Sequence, residues 1–449
     1  MTFQLSKIQN IKKYLNTIIA LSFVVLILMR DVFGTPVNSY LLVALSAIFF
    51  IINDVNLTIA AMVFLIPLYN GVQYVIIYSI GIAILTFKNV KDYSFKPILL
   101  VCAVSILLIE IFTGFSIHIT LDITEMFRSF IIFILTFVFL PSYKKDLDYT
   151  LILKAFVLGT LSMVIIIMWQ YLRVYDVYDF LDLSIRIGDV ERHFHLGTGL
   201  RVSNDPNMLG IITSTAICTA LVLNYRQSAS KLYLWFIPFF LLFGLFTQSR
   251  TFIFSVVILF VYYVFASFLK SSAKNAKKAV SSLFIAVVLL VGTFFLVNAL
   301  LPQYIINLAT RFEADDITNG RTMIFQSYND FLRDNPRYIP FGAGLNYHKL
   351  ISGLPSVHNG FQQVLVSWGI AGCFIITIMM VTLYKAASLS SKFELMRLLP
   401  LIMYIFPMQS IQWFSSGGIV LLNIIWYYSI KFLVTEQSKY LSDEVSETA

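Results

Sequence analysis

Charge is scarce in this sequence. Of 449 residues only 12% are charged while 58% are apolar, and the mean hydropathy is +0.82. A soluble core cannot hide that much apolar surface, so the composition defines a polytopic membrane protein. Cysteine is scarcer still: Cys102, Cys218 and Cys373 all lie inside apolar runs, which excludes a disulfide framework and a zinc site. Carboxylates are nowhere clustered, so no metal site is expected. Internal repeats are lacking, and apart from Glu110, near a helix end, ionisable groups at membrane depth are few; both absences weigh against a transporter such as a lipid-oligosaccharide flippase. Lys7, Lys12 and Lys13 precede an apolar run at 14–29, but no small-residue cleavage site follows and Arg30 and Asp31 stop the run, so a first span is expected rather than a signal peptide. The net charge of +8 is dispersed through short loops as orientation signals, and nucleic acid is discounted as a partner.

What is present is a long series of apolar runs. They lie at 14–29, 37–52, 57–69, 72–87, 97–115, 127–140, 151–172, 207–224, 232–247, 251–269, 279–301, 359–384, 398–412 and 417–434. The expectation is an all-α fold of about 14 transmembrane helices with both termini on one side. The chain divides into amino-terminal helices at 1–172, an outer loop at 173–206, helices at 207–301, a large outer loop at 302–358, carboxy-terminal helices at 359–434 and a tail at 435–449. Lysines such as Lys88, Lys91, Lys96, Lys144, Lys145, Lys270 and Lys385 fall on one side, which marks it as cytoplasmic. Lys349 is the exception among the lysines, and apart from Arg226 and Arg397, which map inside, the arginines do the reverse. Arg30, Arg128, Arg173, Arg186, Arg192, Arg201, Arg250, Arg311, Arg321, Arg333 and Arg337 map outside, as do His118, His193, His195, His348 and His358. The outer face therefore carries the cation suited to bidentate phosphate contacts. Most of these arginines are expected to pair with outer acids such as Asp176, Asp189, Glu313 and Asp316; those beside helix starts call for another explanation.

Three spans begin outside with polar residues. Asp205 is a natural N-cap before Pro206 and Asn207, in the run that opens at Arg201; Ser249 is able to cap the helix opening at Arg250; and Ser356 is expected to cap the helix whose first turn holds Val357, His358 and Asn359. In that register His358 occupies a first turn, where the positive end of the helix dipole favours neutral imidazole. Such an imidazole can accept a hydroxyl proton while helix starts hold a phosphate; the plainer reading is a histidine at the membrane interface. In the large loop, Arg321 opens a run with Ile324, Phe325, Tyr328, Phe331 and Leu332 at helical spacing, stopped by Asn335 and Pro336. This predicts a short amphipathic helix lying on the membrane surface or on the spans beneath it, with Arg321 facing a phosphate or pairing with Glu313 or Asp316.

Asp205-Pro206-Asn207, Ser249-Arg250, Gly320-Arg321, Gly342-Ala343-Gly344, His358-Asn359 and Trp368-Gly369-Ile370-Ala371-Gly372, in that order, resemble the O-antigen polymerase and ligase superfamily over about residues 200–375. The resemblance implies a GT-C-like, metal-independent glycosyltransferase without a cofactor, in the bacterial inner membrane with its site facing the periplasm. It implies an undecaprenyl-diphosphate-linked oligosaccharide as donor and as acceptor, polymerised into O-antigen or capsular polysaccharide; the ligase alternative transfers the glycan to lipid A-core. A chain-length regulator is a further expected partner. By the same resemblance His358 is the base and Arg250 the diphosphate ligand, joined by Arg201 and Arg321. Asp205, Asn207, Ser249 and Asn359 support them, and His348 is a rival base.

Overall fold

The structure is a computed structural model. It describes residues 2–68, 72–117, 130–131, 133–181, 185–188, 205–225, 231–270, 302, 306, 321–350, 357–388, 394–411, 413–414 and 420–448. Among these the only strand-like feature is a single bridge between Tyr93 and Tyr143. The principal helices are α1 (Thr2–Ile27), α2 (Ser39–Ile52), α3 (Val55–Leu65), α4 (Val72–Asn89), α5 (Pro97–Ile117), α6 (Tyr149–Leu172), α7 (Pro206–Tyr225), α8 (Ile237–Phe246), α9 (Arg250–Lys270), α10 (Arg321–Asp334), α11 (Gly360–Ser388), α12 (Leu398–Ile405) and α13 (Leu422–Thr448).

Six described helices are long and apolar enough to cross a membrane: Lys12–Val32, Pro97–Gly114, Tyr149–Leu172, Pro206–Tyr225, Arg250–Leu269 and Gly360–Ser388. The chain is an integral membrane protein. Shorter apolar helices occupy four more of the expected runs, at Tyr40–Ile52, Val55–Leu65, Leu232–Phe246 and Leu395–Ser410. With α3 at 11 residues and α8 at 10, these fall short of the roughly 20 residues that one helix needs to cross the hydrocarbon core, so fourteen full crossings do not follow from them. The run at 279–301 lies outside the described residues.

The bundle is built around α7, which packs on α6, α8, α9, α12 and α13. Its sequence suits that position, because Gly210, Ser214, Ala216 and Ala220 are small and let neighbouring backbones close in. The hydroxyls it buries are satisfied within the helix: Thr213 Oγ1 donates to Leu209 O at 2.7 Å and Thr219 Oγ1 to Thr215 O at 2.8 Å. At Gly210 a Cβ would stand 2.8 Å from Phe252 Cβ and 3.2 Å from Ser249 Cβ. The starts of α7 and α9 are therefore pressed together.

Helix α11 is broken. Gly369 adopts φ 64° and ψ −162°, interrupting a run that is otherwise helical from Gly360 to Ser388. The backbone groups freed by the break are taken up by the loop 339–344. Ala343 N–H donates to Val366 O and Gly344 N–H to Ser367 O, both at 2.8 Å, while Ile370 N–H reaches Ile339 O at 2.9 Å and Ala371 N–H reaches Pro340 O at 3.0 Å. Non-helical backbone is tolerated in a membrane bundle where protein satisfies it in this way.

The predicted amphipathic helix is α10. Its Tyr328 and Leu332 are buried in a small second core with Tyr338, Ala343, Tyr347, Val357 and Val366. It thus rests on its own loop and on the first half of α11, and Tyr328 meets the edge of Tyr347 at 5.4 Å.

Candidate active site

Four helix starts define one end of the bundle. Asp205 caps α7, its Oδ1 accepting from Asn207 N–H at 2.7 Å and Met208 N–H at 3.4 Å. Ser249 caps α9, its Oγ accepting from Phe252 N–H at 3.3 Å, and that hydroxyl also donates to Asn207 Oδ1 at 2.9 Å. The two starts are thus joined by a side-chain bond. Asn359 caps α11, accepting from Phe361 N–H at 2.9 Å and Gln362 N–H at 3.1 Å. The fourth start is α10, which opens at Arg321.

The cap on α11 corrects the sequence reading. Asn is as strong a cap as Ser, and Asn359 Oδ1 meets the N–H groups two and three positions ahead, so the helix begins at Gly360. Ser356 lies outside the described residues. His358 is consequently one residue before the cap rather than inside the first turn. Its place is fixed from the other side by Val357, which is fully buried and donates its N–H to the Tyr347 hydroxyl at 3.1 Å.

A cavity of about 410 Å³ opens between these helix starts, lined by Arg250, Thr251 and Phe254 from α9, Arg321, Thr322, Ile324 and Phe325 from α10, His358, Asn359 and Gln362 at the start of α11, and Phe406, Gln409 and Ser410 beyond α12. Its volume falls in the range of small-molecule sites, roughly 300–1,000 Å³. Arg250, Arg321 and His358, separated by up to 108 positions in sequence, share one wall-to-wall space. Gln362 ties two sides of it together: Nε2 donates to Phe325 O at 2.7 Å and to Asn329 Oδ1 at 3.1 Å, which fixes α10 against α11.

Arg186 belongs to the same region. Its Nε donates to Thr247 O at 2.9 Å, Ile187 N–H donates to Phe246 O at 3.1 Å and Gln248 Nε2 donates to Ile185 O at 3.1 Å. The turn before Arg250 is clasped by this segment, with Gln248 held at φ 50°. Burial pulls the Arg321 guanidinium below its ordinary pKa; the charge of Asp205 opposes that shift, and those of Arg186 and Arg250 add to it. Three guanidinium groups are thus close enough to sense one another, with one carboxylate among them. Such a cluster is suited to an anion with several oxygens, and the half-buried His358 lines the same cavity, where a neutral imidazole is chemically able to accept a proton.

Of the residues singled out from sequence, Arg250, Arg321, His358 and Asn359 line the cavity, while Asp205, Asn207 and Ser249 build the helix starts beside it. Arg201 lies outside the described residues, as do Glu313 and Asp316, the partners considered for Arg321. His348 is exposed, stacks edge-on near Tyr347 at 6.0 Å and does not line the cavity. Sequence reasoning counted Arg186 among the outer arginines without assigning it to the site, and passed over Gln362. Arg186 sits among acidic loop residues and carries no local signal, whereas Gln362, three residues beyond the expected cap, was visible as a polar group at a helix start.

The fold and the cavity define an integral membrane protein with an arginine- and histidine-lined site at one end of a helical bundle. Residues 232–377 match the family model described as O-Antigen ligase, and this segment, about a third of the chain, supports its place in the O-antigen polymerase and ligase superfamily. The match includes Arg250, Arg321, His358 and the break at Gly369; it excludes Arg186, Arg201, Asp205 and all of α1–α7. No curated protein matches the chain.

Proposed function

We propose that the protein is an inverting glycosyltransferase that polymerises polyprenyl-diphosphate-linked oligosaccharide units on the periplasmic face of the bacterial inner membrane. The observation that supports this reading is the single cavity shared by Arg250, Arg321 and His358. The donor diphosphate is held by Arg250, Arg321 and Arg201 together with the helix starts, whose N–H groups and dipoles favour anions. His358 removes the proton from a hydroxyl of the acceptor glycan. The hydroxyl oxygen bonds to the anomeric carbon as the bond from that carbon to the diphosphate oxygen breaks, and the lipid diphosphate leaves with its charge balanced by guanidinium groups. Configuration inverts in this one displacement, and no metal ion is required.

The test is glycan chain length in cells carrying His358→Ala or Arg250→Ala. Loss of long-chain product from both is expected; normal product from both refutes the assignment. The family description favours a second reading, ligation to lipid A-core, that differs only in the acceptor. A deletion strain separates the two: one repeat unit remaining on the core means polymerase, and bare core means ligase.

A further inference from the structure

The amino-terminal helices lie outside the family match, yet one of their side chains reaches the element that carries the site. Glu110, near the end of α5, is 5% exposed. Its Oε1 accepts from Leu345 N–H at 2.9 Å and from Trp368 Nε1 at 2.5 Å, and its Oε2 lies 3.2 Å from the same Leu345 nitrogen. Leu345 directly follows the loop that fills the break in α11, and Trp368 directly precedes Gly369, where the break occurs. One carboxylate oxygen therefore bridges the two sides of the break.

Two routes lead from there to His358. Along the helix, Trp368 is joined to the cap at Asn359 by an unbroken helical segment. Along the loop, Tyr347 follows Leu345 by two residues, is buried, and accepts from the N–H of Val357, the neighbour of His358. We infer that Glu110 is a positioning residue for His358: its carboxylate locks the loop at Leu345 to the broken helix at Trp368 and so fixes where the imidazole stands. The mechanism as drawn has no other use for this buried acid, and an ionisable group in a span is otherwise costly to keep. The inference rests on the reading of His358 as the base. Arg250 lies on α9, outside the loop and helix that Glu110 joins, so anion binding depends on Glu110 less than the placement of His358 does.

The experiment uses the full chain with Glu110→Ala, Glu110→Gln and Trp368→Phe. Three readouts are taken: hydrogen exchange of the purified protein, the affinity for inorganic pyrophosphate from the shift in melting temperature, and polymer yield in cells. Displacing a catalytic group by about 1 Å costs about 10²-fold, so Glu110→Ala is expected to lose polymer on that scale while pyrophosphate affinity falls far less. Amides of 343–345 should exchange at least about tenfold faster. The shorter bond from Leu345 and the bond from Trp368 both end on Oε1, which glutamine keeps, and only the longer contact of Leu345 N–H with Oε2 is lost, so Glu110→Gln restores most of the yield. Glu110→Ala combined with Trp368→Phe should be no worse than Glu110→Ala alone. Wild-type yield in Glu110→Ala, unchanged exchange, or a loss of pyrophosphate affinity matching the loss of yield would each overturn the proposal. Should His358→Ala itself retain wild-type yield, the base assignment fails, and the exchange readout still decides whether Glu110 holds the break.

Discussion

Replacing Gly369 by alanine is the sharpest test of the broken helix. At φ 64° and ψ −162° the backbone is in a region open essentially to glycine alone, and forcing another residue there costs about 1–3 kcal/mol. Space is a second obstacle, because the new Cβ would stand 2.4 Å from Pro340 C and 2.5 Å from Phe341 N, which are backbone atoms that no rotamer change can remove. Relief requires the loop to withdraw. Withdrawal breaks the bonds of Ala343, Gly344, Ile370 and Ala371 across the break, each contributing about 1 kcal/mol net. The combined penalty is about 5–7 kcal/mol, comparable to the total stability of many domains. The measurement is the melting temperature of the purified chain together with exchange at those four amides, with Ile370→Ala, at an exposed neighbour, as the control. Melting several degrees lower, faster exchange at all four positions and loss of polymer are expected for Gly369→Ala alone. Wild-type melting and exchange would refute the account of the break.

Three further outcomes are expected. Inorganic pyrophosphate at a hundred times its dissociation constant should stabilise the protein by about 2.7 kcal/mol, and the shift should vanish in Arg250→Ala combined with Arg321→Ala, as read by thermal melting. Asn359→Ala should cost about 1 kcal/mol of stability through the lost cap and should lower polymer yield because the residue before it is His358; a neutral result in both would show that the cap does not order the site. His348→Ala should leave chain length unchanged, since that ring is exposed and outside the cavity.

The sequence made the helix starts legible because caps are local: Asp205 and Ser249 each bond to N–H groups within three residues of themselves. At α11 the same logic misplaced the start, since Ser356 and Asn359 are comparable caps by residue type and only the bonds of Asn359 Oδ1 to the N–H groups of Phe361 and Gln362 place the start at Gly360. The motif around Trp368-Gly369 was visible as a motif, but its cause was not. The residues that require glycine there belong to Pro340 and Phe341, and the acid that bonds to Trp368 is 258 positions away. Arg186 was hidden for a related reason, as its bond to Thr247 spans 61 residues and leaves no periodicity to read. Spans were legible by hydropathy alone, which reports apolar length but not whether a ten-residue helix such as α8 crosses the bilayer.

The partition of basic residues between the two ends follows from what each side chain can hold. Lys88, at the end of α4, points its ammonium at the carbonyls that close α2, donating to Phe50 O at 3.0 Å, Asn53 O at 2.9 Å and Ile51 O. An ammonium suits that task because three donors on one atom meet three converging acceptors at a helix C-terminus. At the opposite end the acceptors do not converge on a point. Arg30 grips Asp31 with Nε and Nη2 at 2.6 and 2.7 Å, Arg173 reaches Val32 O at 2.7 Å, and Arg186 gives one N–H to Thr247 O. A guanidinium has five N–H donors in a fixed plane, so it can brace the backbone with one and keep others for an anion, which lysine cannot do with the same rigidity. Arg30 and Arg173 use donors on the scaffold. Arg250 and Arg321 line the cavity and the charge of Arg186 acts on Arg321, a crowding of like charge that an anion bound there would relieve. Among the described outer arginines, then, some brace the scaffold near α1 and α6 and others stand at or beside the cavity, and on the proposed reading only the latter should govern pyrophosphate affinity.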